Sequence, residues 1–256
     1  MWRIQWIGFL TMIRKELTRI FRIWTQTLLP SVITTTLYFL IFGRFIGSRV
    51  GNLHGVSYIQ FIVPGLIMMS VITNAYSNMV SSVFSAKFQK QIEELLVSPM
   101  SSFTVMAGYL TGSVLRGCIV GVLVTGVSLF FAPIVVYNPL LTILTVVLTA
   151  VLFSLAGFIN AIFAKKFDDI AIVPTFVLTP LTYLGGVFYS VKSLPVFWQK
   201  LSLLNPILYL VNIFRFGFLG MSDVPVGASL IGLTVVVIIL WGVGYQLYRK
   251  GIGVQQ

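Results

Sequence analysis

Negative charge is almost missing from this chain. Six Asp and Glu residues stand against seventeen Lys and Arg in 256 residues, with one histidine and one cysteine. A single cysteine, Cys118, excludes an intrachain disulfide and a thiolate metal cluster. The single histidine, His54, lies in a short polar loop without companion ligands and is expected at the surface. No G-x-x-x-x-G-K-S/T phosphate loop occurs, so the chain does not cradle ATP in that way. H-E-x-x-H, C-x-x-C and G-x-S-x-G are missing as well, and no carboxylates cluster within an apolar run. A nucleophile needs a base and a metal centre needs several ligands, so these absences argue against an enzyme. Ion-driven carriers place ionisable groups inside the membrane. Arg116 is the one candidate here, and it can bind an anion, pair with backbone carbonyls or reach toward the membrane edge. Energy for active transport would then come from another chain.

Apolar residues are abundant. The chain is 57% hydrophobic and 9% charged, where soluble domains carry about 25% charged residues. It therefore reads as an all-α polytopic membrane protein. A helical span takes about 20 apolar residues, and six fit, at roughly 25–47, 58–82, 104–131, 140–164, 170–191 and 228–248. They form one transmembrane domain over 25–248, followed by a tail at 249–256. Gly108/Gly112 and Gly117/Gly121 in the third span have the spacing that lets helix backbones approach closely. The net charge of +11 on so apolar a chain points to an anionic membrane surface and not to nucleic acid.

Residues 1–24 have the pattern of an amphipathic helix lying at the interface. Trp2, Trp6, Phe9, Ile13, Leu17, Ile20 and Trp24 recur every three or four residues, with Arg14, Lys15, Arg19 and Arg22 on the other side. A second amphipathic stretch interrupts the apolar runs at 84–103. Phe84, Phe88, Ile92, Leu95 and Leu96 share one helical face, and Glu93 and Glu94 lie off it. Ser98-Pro99 stops this helix, and Ser101 or Ser102 can cap the next. The stretch is either a solvated loop helix or a docking handle for a soluble partner. Between the last two spans, residues 192–227 contain Leu194-Pro195 and Asn205-Pro206 as restart points. Two short helices dipping into the outer leaflet account for this segment, as does a plain interfacial loop.

Positive charge sets the orientation. With both termini in the cytoplasm, Arg3, Arg14, Lys15, Arg19, Arg22, Lys87, Lys90, Lys165, Lys166, Arg249 and Lys250 are inside. Arg44, Arg49, Lys192, Lys200 and Arg215 are then outside. Every acid except Asp223 is expected on the cytoplasmic side.

Three segments resemble the permease subunit of ABC-2 type export transporters, and the resemblance covers essentially the whole chain. PLTYLGGVFYSVKSLPVFWQKLSLLNPILYLVNIFR (180–215) carries Pro180, Gly185-Gly186, Phe188-Tyr189, Leu194-Pro195, Asn205-Pro206 and Arg215 in the family's order. Glu93 to Pro99 is similar to the family's E-x-L-x-x-S/T-P segment, and FIVPGLIMMSVI (61–72) resembles its second span. The resemblance implies a bacterial inner-membrane exporter permease without catalytic residues or cofactors of its own. Two copies would pair, and two separate ATPase subunits holding ATP and Mg would dock beneath them. It implies that Glu93, Glu94, Leu95 and Leu96 form the coupling helix, and that the helix with Arg14, Lys15 and Arg19 also meets the ATPase. Short outer helices with Pro195, Trp198, Asn205, Pro206 and Arg215 would form a lid over a path between the first, second and fifth spans. An ATP-independent channel or carrier is the alternative.

Overall fold

The structure, a computed structural model, describes residues 2–53, 55–133 and 135–253. The surface position expected for His54 and the last residues of the tail fall outside them. Helix α1 covers Trp2–Arg22. Helix α2, Trp24–Val50, has a π-helical stretch at Phe39–Ile46. A two-residue antiparallel ladder, β1 (Asn52–Leu53) with β2 (Val56–Ser57), is the one strand pairing among the described residues. Then come α3 (Tyr58–Phe88), α4 (Gln91–Val97), α5 (Ser102–Ser128) and α6 (Pro139–Phe163). The chain closes with α7 (Asp169–Leu184), α8 (Val196–Leu203), α9 (Pro206–Leu219) and α10 (Val226–Arg249). The all-α polytopic architecture expected from composition is the one observed.

Five helices among the described residues, α2, α3, α5, α6 and α10, are long and apolar enough to cross a membrane. Their ends lie close to the expected limits, with two exceptions. The fifth expected span, 170–191, is the shorter α7, which rises about 24 Å at 1.5 Å per residue. It stops at Leu184 because Gly185 leaves the helix and Gly186 turns the chain at a φ of 71°. The second expected span, 58–82, runs on to Phe88. No glycine or proline interrupts it there, and Phe84 is buried in the bundle. Phe84 and Phe88 therefore belong to α3 and not to the surface helix. The break comes at Lys90, whose φ of 59° starts the seven-residue α4.

Helix α3 is the axis of the bundle. Residues on all sides of it are buried, from Phe61 through Ile72 and Tyr76 to Phe84, which is the signature of a core helix. Its start is fixed by a reciprocal cap: Gln60 N–H donates to Ser57 Oγ, and Ser57 N–H donates to Gln60 Oε1. Near that end Gly65 admits the backbone of Val187, since a Cβ there would stand 2.5 Å from the Val187 carbonyl oxygen.

Helix α1 does not lie alone on the surface as its apolar stripe suggested. It runs beside the first half of α5 in the same direction. Met12 Cβ fills the space beside Gly108, and Glu16 Cβ the space beside Gly112, one turn further along both helices. Trp2 and Trp6 remain exposed, while Met12, Glu16 and Ile20 form the buried stripe. The Gly108/Gly112 spacing thus serves the contact with α1. Gly117 and Gly121 face Val71 on α3, and Gly117 also faces Ala150 on α6.

A side chain at residue 112 would push α1 away, because its Cβ would stand 2.5 Å from Glu16 Cβ. We expect Gly112→Leu to cost about 1–3 kcal/mol, while Gly126→Ala, in open space, is neutral or slightly stabilising. Thermal unfolding of the detergent-solubilised chain reads the difference. Equal midpoints would show that this approach carries no stability.

Candidate functional site

Three places gather the polar residues of this apolar chain. The first is the α4 junction. Glu93 and Glu94 are exposed on α4 and Leu95 is half-buried, while the side chain of Leu96 lies outside the described residues. Ile92 is 1% exposed and joins a cluster with Val83, Phe84 and Met106. Lys15 Nζ donates to Gln91 Oε1 at 3.0 Å, which ties α1 to the start of α4. Gln5 donates to the Pro99 carbonyl and accepts from Ser101 N–H, both at 2.8 Å. Ser101 then caps α5 by accepting from Thr104 N–H at 3.1 Å. The surface helix is therefore clamped between α3, α1 and α5, with two carboxylates left facing outward. Arg14 and Lys15 are exposed nearby, as expected.

The second place is the connection between α7 and α10. Helices α8 and α9 meet at 89°. Pro195 precedes α8 and is exposed, and Trp198 is exposed with its ring edge-on to Phe197 at 5.4 Å. On α8 Val196 and Phe197 are exposed, as is Leu204 just after it, whereas Ser202 is fully buried. Asn205 is buried and does two jobs. Its Oδ1 accepts from Ile207 N–H at 3.0 Å, and its Nδ2 donates to the Leu181 carbonyl at 2.5 Å. Pro206 begins α9, where its missing N–H costs nothing.

Arg215, expected among the short helices between the last two spans, points into the bundle. It is 2% exposed, with its guanidinium carbon 4.0 Å from the centre of the Phe61 ring and Nη2 donating to the Gly186 carbonyl at 2.7 Å. Helix α9 is buried over most of its length, so a residue near its end points into the bundle. Around the same outer end, Tyr38, Phe42 and Tyr183 pack on Phe188 with ring centres 4.7 to 6.0 Å away. The first, second and fifth expected spans meet there.

The third place lies inside the bundle. Arg19 is turned inward and not toward a surface partner: its Nη2 lies 2.9 Å from Glu16 Oε2 and 2.9 Å from Asn78 Oδ1. Glu16 is fully buried and also accepts from Ser82 Oγ at 2.5 Å. It is an acid within the bundle, because Gly112 lets α1 approach α5 closely there. Arg116 donates to Asn78 Oδ1 and Asn74 Oδ1 at 3.2 Å and to the Thr27 carbonyl at 3.3 Å. Glu16, Asn74 and Asn78 were missed as site residues. The signal was present: Ser70, Asn74, Asn78 and Ser82 recur every four residues on α3, and Gly108, Gly112 and Arg116 do so on α5.

A sequence comparison with known families decides the identity of this arrangement. The description "ABC-2 type transporter" matches residues 8–219. The chain belongs to the ABC-2 type transporter family. It is thus the membrane component of a transporter, a permease. It is 57% identical over 255 residues to the inner membrane transport permease YadH of Escherichia coli (strain K12), with all of both chains covered. It is 23% identical to nodulation protein J of Rhizobium leguminosarum bv. viciae, over 89% of this chain and 90% of that one. Nodulation protein J of Rhizobium meliloti (strain 1021) is 24% identical at similar coverage. In this ABC-2 chain the family match begins inside α1 and ends with α9, so it takes in all three polar places.

Removing one partner of a buried ion pair strands the other charge. We expect Glu16→Ala to destabilise the permease by about 3–5 kcal/mol, and the pair Glu16→Met with Arg19→Met to recover much of that loss. The thermal midpoints of the single and double variants check this, and an additive double variant would refute the coupling.

Proposed function

We propose that this chain is the membrane-spanning subunit of an ATP-driven exporter in a bacterial inner membrane. It moves substrate outward with ATP hydrolysed, with Mg, on a separate ATPase subunit. Two copies pair, two ATPases dock beneath them, and both termini lie in the cytoplasm. The observation that carries this reading is the clamped α4: two exposed carboxylates on a short helix whose other side is anchored by Ile92 and by the Lys15–Gln91 contact. Carboxylates on such a helix make charge-assisted hydrogen bonds to a basic partner. The continuous run of α3 into this junction provides a stiff connection to the spans.

ATP must favour one of two arrangements of the spans for the cycle to do work. In this reading α4 takes up the motion of the closing ATPases, with Arg14 and Lys15 of α1 alongside. Arg19 is excluded from that surface because it faces Glu16 and Asn78. On the opposite side, α8 and α9 with Pro195, Trp198, Asn205 and Pro206 act as the lid. The π-helical turn at Pro174–Leu178 in α7 supplies a place to bend. The path lies where the first, second and fifth spans meet.

Gentle purification of a tagged full-length chain tests the partner. A stoichiometric subunit with a G-x-x-x-x-G-K-S/T loop is expected, and its absence after crosslinking would favour an ATP-independent channel or carrier. With that subunit in hand, Glu93→Ala combined with Glu94→Ala is expected to lower permease-stimulated ATPase activity roughly tenfold or more, given two lost charge-assisted bonds, with the thermal midpoint unchanged. Unaltered stimulation and transport would remove α4 from the coupling role.

A further inference from the structure

Two guanidinium groups meet inside the bundle on one neutral acceptor, Asn78 Oδ1, and the one carboxylate there, Glu16, pairs with Arg19 alone. Glu16 is engaged by Arg19 and Ser82. Arg116 reaches only neutral acceptors, at 3.2 to 3.3 Å, whereas hydrogen bonds from Arg to an anion shorten to about 2.7–2.9 Å. The Nε atoms of Arg19 and Arg116 are both buried without a partner. One positive charge is therefore left without a counter-charge in a low-dielectric setting, where a charge is stable when it is paired or lines a cavity.

A cavity is present beside it. A groove of about 190 Å³ runs between α2 and α3, with Ser31, Thr34, Ser70 and Asn74 at its polar end and Tyr38 and Leu66 at its apolar end. Asn74 joins the groove to the charge. Its Oδ1 accepts from Arg116 Nη2, and its Nδ2 donates to Ser31 Oγ at 2.9 Å. Ser31 accepts that bond and keeps its own proton to donate. A cation behind a chain of aligned hydrogen bonds strengthens the last donor, so the Ser31 hydroxyl is polarised toward an anion in the groove.

We propose that the groove between α2 and α3 is a binding site for the anionic headgroup of an amphiphile. A phosphate or carboxylate sits at the Ser31 and Thr34 hydroxyls with Arg116, behind Asn74, as its counter-charge, and the apolar part lies along Tyr38 and Leu66. The amphiphile is either transported cargo or a resident lipid. The first case rests on the exporter reading and the second does not.

The full-length chain, placed in nanodiscs of equal phosphatidylglycerol and phosphatidylcholine and then transferred to detergent, is analysed by native mass spectrometry for retained phospholipid. The wild type is expected to retain phosphatidylglycerol over phosphatidylcholine about tenfold, a factor equivalent to about 1.4 kcal/mol. Arg116→Gln is expected to abolish the preference. Asn74→Asp gives Arg116 a carboxylate of its own, so it is expected to keep the fold and still lose the preference, which decides the matter if Arg116→Gln fails to fold. Equal retention of the two lipids by the wild type, or an unchanged preference in Asn74→Asp, would overturn the proposal. Retention is read without any ATPase, so its failure and a failure of the exporter reading are separate results. Adding the partner ATPase with ATP then separates the sources: cargo is lost during turnover, and a resident lipid stays.

Discussion

Putting one carboxylate and two guanidinium groups where α1, α3 and α5 meet constrains everything on the α4 side of this bundle. Ionised groups are costly to remove from water unless pairing and hydrogen bonding compensate. The compensation requires that Glu16 of α1, Asn78 and Ser82 of α3, and Arg116 of α5 be held within hydrogen-bond reach at the same time. That in turn requires α1 to press onto α5, which only Gly108 and Gly112 allow. The glycines and the charges are thus one device. Without the close approach Glu16 would not reach Ser82, and without Glu16 the approach would bring Arg19 toward Arg116 with no anion nearby. The same contact aligns Lys15 with Gln91 and Gln5 with Ser101, so α4 inherits its position from the buried network.

The α8–α9 end is held by different means. There α9 is inserted into the bundle and fixed by Asn205 on the Leu181 carbonyl and by Arg215 against Phe61 and the Gly186 carbonyl. Asp223 adds to this by accepting from Ser190 Oγ and Val191 N–H, while its own N–H donates to Asn212 Oδ1 on α9. The backbone there is also less regular, with the π-helical turn in α7, the φ of 71° at Gly186 and the 89° corner before α9. One end is fixed by buried charge and the other by a backbone of joints and caps.

Much of this was legible in the sequence, and the gaps have a physical cause. Runs of apolar residues located the spans, and the stops at Ser98-Pro99 and Asn205-Pro206 correspond to a helix end and to a capped helix start. Periodicity also found an amphipathic α1. It could not say which side of α1 meets protein, because lipid and bundle interior are equally apolar and a Trp-rich stripe fits either. The buried side proved to be the one with Met12, Glu16 and Ile20. Charge counting could not show that the Arg19 and Arg215 side chains turn inward onto partners in the bundle. The informative pattern was the reverse of the usual one: polar residues every four positions on α3, Ser70, Asn74, Asn78 and Ser82, two of them amides inside a membrane-length helix.

All of these features lie along one rod. Helix α3 runs without a break from its Ser57 cap to the α4 junction, about 46 Å at 1.5 Å per residue. Phe61 and Gly65 near one end meet Arg215 and Val187, Asn74 and Asn78 lie midway, and Phe84 packs near the α4 end. Its one proline, Pro64, falls beyond the groove on the outer side. A displacement entering at Phe84 would therefore reach Asn74 through unbroken helix and meet its one proline only at Pro64. An anion in the groove would bridge α3 to Ser31 and Thr34 of α2, adding a second helix to the rigid part.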